Sequence, residues 1–248
     1  MERVEFENSR GLKLVGDYLE ADSDAGIVMA HGFTGDRTEW GYFNHVAEYL
    51  NDSGYNVLRF DFSGSGESDN EPIAIGNQVE DLKSAIEYIE SRGVERLGLY
   101  GHSQGGLVSL RNHDLADVLV LTSPVTNSLA NYGEKKLTES QREELERKGK
   151  WTVTREKGPR NEYVIDGSII EEKESINQNE LLEEIEEPVK IIHGDQDEVV
   201  PLEHSKDAVD MLETSELKVV EGLNHGYNEK IGQIAEEAEK WFQKHMPI

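Results

Sequence analysis

Tyr100-Gly101-His102-Ser103-Gln104-Gly105-Gly106 follows the apolar run 97–99 and opens a helix-prone stretch, which makes it the point from which the fold can be read. Gly-x-Ser-x-Gly between a strand and a helix is the pattern of a nucleophile elbow, a sharp turn whose small flanking residues let the backbone bend while the hydroxyl projects. A serine hydroxyl is a weak nucleophile until a base activates it, so Ser103 needs partners from elsewhere in the chain. The same five letters also occur in ordinary glycine-rich connectors, and the surroundings must decide.

Outward from Ser103, short apolar runs alternate with helical patterns. The spacing predicts strands over 26–30, 56–60, 96–100, 117–122, 189–193 and 217–220, and helices over about 40–52, 76–91, 104–112, 203–213 and 228–244. Ile75, Val79, Leu82, Ile86 and Ile89 form one apolar stripe at steps of three and four. Residues 2–7 and 12–19 flank Ser9-Arg10-Gly11 and read as an antiparallel hairpin. Alternating strands and helices imply parallel pairing through right-handed crossovers, helices on both faces, and active residues beyond the carboxyl ends of the strands. The fold class is therefore α/β. The alternation stops between Pro124 and Pro188, where charge-rich helical segments surround a strand-like piece at 151–164. The expected organisation is a core of 1–125 and 188–248 with an inserted cap, or lid, at 126–187.

The 248 residues suffice for one large domain. The first 25 residues are charged, without the apolar core of a signal peptide, and no run approaches the ~18 apolar residues of a membrane span. A cytoplasmic protein is expected. Cysteine is absent, so disulfides and thiolate metal sites are excluded. With 51 acidic residues against 25 basic ones the net charge is −26, a field that repels nucleic acid and anionic membranes and disfavours highly anionic substrates. The acids are 36 Glu and 15 Asp. We expect a salt-adapted surface, because salt screens like-charge repulsion. The unfolding midpoint should rise in molar salt, and an unchanged midpoint would remove the idea.

Of the eight histidines, His204, His225 and His245 lie beyond the strand at 189–193, and the first and last are expected on the solvated surface. His225 stands in Gly222-Leu223-Asn224-His225-Gly226, a loop directly after a strand, and can reach the tip of the sheet. Two acids compete at the tip of strand 189–193. Asp195 is the first in the turn and suits backbone-bonding work there, whereas Asp197 is better placed to reach the histidine loop. An oxyanion needs backbone N–H groups already aimed at it; one should come from Gln104, the other from the glycine-rich loop 31–35, HGFTG.

Taken in order, HGFTG (31–35), DFSGSGES (61–68), GHSQGG (101–106), SPV (123–125), HGDQDEVVP (193–201) and NHG (224–226) resemble the α/β-hydrolase superfamily. Within it the chain is similar to lidded serine esterases of the feruloyl or cinnamoyl esterase and monoacylglycerol lipase type. The resemblance spans nearly all of the chain outside 126–187. It implies an α/β-hydrolase fold and a Ser103–His225–Asp197 triad, and it selects Asp197 over Asp195. The implied oxyanion donors are the N–H groups of Phe33 and Gln104, with no cofactor and no metal. The implied activity is hydrolysis of small to medium carboxylic esters, aryl or hydroxycinnamoyl esters among them, by a monomer or homodimer. A lipase-like or peptidase hydrolase, or a non-catalytic ligand-binding protein on the same fold, is the alternative. Two features depart from the family pattern: Ser63 stands where Arg or Asn is frequent, and the stretch from Ser103 to the strand at 117 is short. GSGESD at 64–69 imitates a dinucleotide fingerprint but has Asp69 where glycine is required. His31, His102 and His193 each sit beside a glycine and are expected to make local hydrogen bonds rather than bind a metal.

Overall fold

The computed structural model describes residues 1–156, 158–227 and 229–248. Ten strands are present among them: β1 (Glu2–Glu7), β2 (Lys13–Leu19), β3 (Ala25–Ala30), β4 (Asn56–Asp61), β5 (Arg96–His102), β6 (Val118–Thr122), β7 (Lys150–Thr154), β8 (Glu162–Asp166), β9 (Val189–Gly194) and β10 (Ser215–Val220). Eight of them form one sheet in the order β1-β2-β4-β3-β5-β6-β9-β10. The β1–β2 hairpin and the β2–β4 pair are antiparallel, and every later pairing is parallel.

Strands β3, β4, β6 and β9 are buried at every position, whereas the edge strands β1 and β10 are partly exposed. Strands buried at every position require cover on both faces of the sheet. One face is covered by α1 (Tyr42–Asp52) and α9 (Ile231–His245), which bury Phe43, Val46, Leu50, Trp241 and Phe242. The other is covered by α2 (Ile75–Ser91), α3 (Gln104–Leu110) and α8 (Leu202–Met211). The predicted stripe holds, with Leu82, Ala85, Ile86 and Ile89 of α2 packed on the sheet.

Differences from expectation are local. Helix α1 begins at Tyr42 because Glu39, Trp40 and Gly41 all take positive φ in the short 3-10 turn before it. Helix α3 stops at Leu110, shorter than the expected 104–112, and a 3-10 turn at His113–Leu115 completes the connection. The expected start of the last helix, 228, lies outside the described residues, and α9 runs from Ile231. His204 and His245, expected on the solvated surface, are only partly exposed, and the His245 ring lies 4.3 Å from that of Trp241.

The stretch 126–187 contains α4 (Tyr132–Lys136), α5 (Glu139–Lys148), the antiparallel pair β7–β8, α6 (Ser168–Glu174) and α7 (Gln178–Leu182). Helix α5 buries no residue, and a Thr138–Gln141 capping box closes its start. The stretch is tied to the body by a bridge between Ile73 and Ile165 and by Arg155, which donates to Thr34 Oγ1 at 2.7 Å. Among the described residues no helix is long and apolar enough to cross a membrane.

Candidate active site

The elbow is built by close approach. Ser103 has φ 54 and ψ −114, and a Cβ at Gly105 would stand 2.1 Å from the carbonyl oxygen of Ala30, the last residue of β3. A side chain there is impossible without moving the strand, so glycine is required for α3 to pack against β3. That contact also sets the elbow beside the loop 31–35 that follows β3.

The structure brings Ser103, His225 and Asp197 together. His225 Nε2 lies 3.0 Å from Ser103 Oγ, and His225 Nδ1 lies 2.8 Å from Asp197 Oδ2. A carboxylate only accepts, so Nδ1–H donates to Asp197, and Nε2 is left to accept the serine proton. The Asp197 side chain is buried and its Oδ1 also accepts the N–H groups of Val199 at 2.8 Å and Val200 at 2.9 Å. Burial alone would raise its pKa; hydrogen bonds from His193 and His225 outweigh that and hold the carboxyl well below the usual range. Asp195 does different work: its Oδ1 accepts the Gly222 N–H at 2.6 Å, pinning the loop that carries His225.

The histidines beside glycine make local bonds. The His31 Nδ1 and Nε2 atoms contact Gly32 O and the Phe62 N–H, His102 Nδ1 meets Thr122 Oγ1, and His193 meets Ser205 Oγ and Val200 O. Burial, with like charge at His225 added, holds His102 far below the ordinary histidine value, so the ring beneath the site stays neutral. GSGESD closes on the protein itself. The buried Asp61 carboxylate accepts the N–H groups of Arg37 and Glu67, and a Cβ at Gly66 would overlap that carboxylate. Ser63, at the departing position, bonds Asp81 at 2.7 Å and receives a hydrogen bond from Arg10 of the first hairpin.

Around the elbow, the N–H groups of Phe33 and Gln104 donate to no backbone carbonyl among the described residues, whereas that of Gly35 donates to Gly32 O. Gly32 N–H donates at 2.7 Å to Glu39 Oε2. Glu39 is buried in the cavity wall, and no sequence signal pointed to it. Thr34, Glu39, Trp40, Ser103, Ser123 and Tyr227 all have positive φ, a concentration of backbone strain around one site. Burial pushes the Glu39 carboxyl up to about 8. Between its ordinary value of 4.5 and 8, the folded state keeps a proton that the unfolded chain has released. Its contribution to stability is therefore present below pH ~4.5 and lost as pH rises through 8, at up to about 1.4 kcal/mol per pH unit. Glu39→Gln should flatten this decline, so that denaturant unfolding at pH 5 and pH 8.5 shows the variant gaining on the wild type with pH; parallel curves would refute the assignment.

Ser103 and His225 open into a cavity of about 430 Å³. Its apolar wall includes Val125, Leu129, Leu137, Val153 and Val200, and Trp40 and Phe33 stand beside the elbow. Of the three aromatic residues in 126–187, Tyr132 and Trp151 reach the wall, whereas Tyr163 is buried elsewhere in the core. Lys136, Arg155 and Lys173 also line the cavity.

Fold and site geometry thus describe an α/β hydrolase architecture, and comparison with known proteins agrees. The profile of the alpha/beta hydrolase family matches residues 27–237, and the chain belongs to that family. YfhR of Escherichia coli O157:H7 is 26% identical over 216 residues, covering 83% of this chain and 66% of that protein. The mitochondrial palmitoyl-protein thioesterase ABHD10 of Bos taurus is 24% identical over 192 residues, 75% of this chain and 61% of its own length. The chain thus spans 66% and 61% of the length of these two relatives. Among solved structures, Est1E of Butyrivibrio proteoclasticus with ferulic acid bound superposes with a TM-score of 0.79 at 22% identity, covering 99% of this chain and 100% of that one.

Proposed function

We propose that the protein is a serine esterase acting on small to medium carboxylic esters, aryl esters included. The observation that carries this reading is the unbroken hydrogen-bonded line from Ser103 Oγ through His225 to the Asp197 carboxylate, opening into a cavity of about 430 Å³. Ser103 Oγ attacks the ester carbonyl and its proton passes to His225 Nε2, while Asp197 holds the ring in the required tautomer. The oxyanion is received by the Phe33 and Gln104 N–H groups, each such donor being worth about 3 kcal/mol. The tetrahedral intermediate then collapses: the C–O bond to the alcohol breaks, and His225 protonates the departing oxygen. Water, deprotonated by the same imidazole, attacks the acyl-serine, releasing the acid and restoring Ser103.

The 126–187 stretch acts as a cap whose Tyr132 and Trp151 meet the acyl group. A ferulic acid complex of Est1E and a palmitoyl-thioesterase name for ABHD10 favour acyl transfer to water as the class of chemistry. Purified protein should hydrolyse 4-nitrophenyl butyrate far above the buffer rate; a rate equal to buffer would overturn the proposal.

A further inference from the structure

The cavity contradicts the charge of the molecule around it. The chain carries −26, yet three of the four charged side chains in the cavity wall are cations, Lys136, Arg155 and Lys173. The fourth, Glu39, is held towards its neutral form by burial, which pushes its carboxyl up to about 8. Among the described residues none of the three cations has a carboxylate within ion-pair distance, although acids outnumber bases two to one.

Lys173 is the least expected of them. It is 3% exposed, and its Nζ lies 4.1 Å from the centre of the Phe33 ring and 4.5 Å from that of Tyr132. Its hydrogen bond is to Tyr132 Oη, at 3.3 Å, which leaves ammonium donors over. Of the acids beside it on α6, Glu172 pairs with Arg111 at 3.2 Å and favours the charged lysine only through space, and Glu174 accepts the Gly133 N–H at 3.0 Å. A buried amine with two aromatic faces and no carboxylate within ion-pair distance among the described residues is costly to charge unless something anionic joins it, so an incoming carboxylate would favour its protonated form. Burial, with Lys136 adding like charge, pushes Lys173 down to about 7. The Phe33 ring it touches belongs to the residue whose N–H faces the reacting carbonyl in the proposed mechanism.

We propose that Lys173, supported by Lys136 and Arg155, is the specificity-determining anchor for a carboxylate on the substrate, so that this site selects anionic esters over neutral ones. This inference rests on the esterase reading above. It reverses the expectation from net charge, because local cations inside a low-dielectric cavity act at short range where the surface field is screened. The carboxylate could sit on the acyl or on the alcohol side, and the recognition chemistry is the same.

Two isosteric pairs separate these cases. On the acyl side, 4-nitrophenyl hydrogen glutarate is compared with its ω-carboxamide; on the alcohol side, 4-acetoxybenzoate is compared with 4-acetoxybenzamide. In at least one pair the wild type should show kcat/KM about tenfold higher for the carboxylate. Lys173→Met should bring that ratio to about one, Lys173→Arg should retain part of it, and Lys136→Gln should lower it less. Ratios near one in both wild-type pairs, or a Lys173→Met ratio equal to the wild type, would overturn the inference. In Ser103→Ala, the Kd values of the same compounds by calorimetry report charge discrimination without turnover. Carboxylate-selective binding by that variant beside an inert wild type would overturn the esterase reading alone, and unselective binding beside an active wild type would overturn this inference alone.

Discussion

Ser103→Ala is expected to lower kcat/KM for 4-nitrophenyl butyrate by roughly a million-fold, and His225→Ala by a similar factor. The alanine at 103 removes the attacking oxygen; the one at 225 removes the only base at 3.0 Å from it among the described residues. In the proposed mechanism the two groups act on one proton, so the double variant should be hardly slower than either single one. Losses that multiply would mean that the two residues act independently. Both variants should fold, because Ser103 holds its turn through backbone bonds to Thr122 and Val125, and His225 is partly exposed at a loop tip. Residual activity above buffer would then come from binding and the Phe33 and Gln104 N–H groups.

Asp197→Asn should lower kcat by about ten-thousand-fold with little change in KM. An amide at 197 can still accept the Val199 and Val200 N–H groups through its oxygen, but its NH₂ then faces His225 Nδ1. That favours the tautomer with the proton on Nε2, where the serine proton must go. Stability should also respond in a predictable direction. The folded Asp197 pKa lies below the ordinary 3.8, so its contribution is present above about pH 4 and lost as pH falls. The deficit of Asp197→Asn relative to wild type in urea unfolding should therefore shrink on acidification. Asp195→Asn, by contrast, disturbs only the bond to Gly222 and should retain most of kcat; an equal collapse in both variants would reopen the choice between the two acids.

Much of this arrangement is legible in the chain because each part carries a local signal. Runs such as VLVL (118–121) are apolar and buried at every position, which only a doubly covered strand tolerates, and the stripe in α2 names the face that covers it. The glycines at 101 and 105 mark a turn where backbone meets backbone, and the order of serine, acid and histidine follows from the chain itself. The choice of Asp197 over Asp195 was less visible. Both residues lie in one turn and both bond backbone amides, so only the folded position of the Gly222–Gly226 loop distinguishes them.

Other features left no trace in sequence. Glu39 reads as one more acid in an acidic protein; its importance comes from three consecutive left-handed residues that turn it under Gly32. Lys173 lies in a segment of Glu and Lys that reads as a solvated helix, yet it is buried because Phe33 and Tyr132 close over it from different elements. His204 and His245 were expected in solvent for the same reason, since position near a helix end says nothing about which neighbour covers it. Electrostatics read from composition gives the field of the whole surface, and the sign of a single cavity can oppose it.

The most direct measurement of the central claim is covalent capture of the nucleophile. Wild-type protein treated with a fluorophosphonate should gain one adduct per chain, mapped by peptide mass spectrometry to Ser103, with loss of esterase activity in proportion. His225→Ala should label at least a hundredfold more slowly under the same conditions. An adduct on any other residue, or an intact Ser103 in a protein that still hydrolyses 4-nitrophenyl butyrate, would contradict the account.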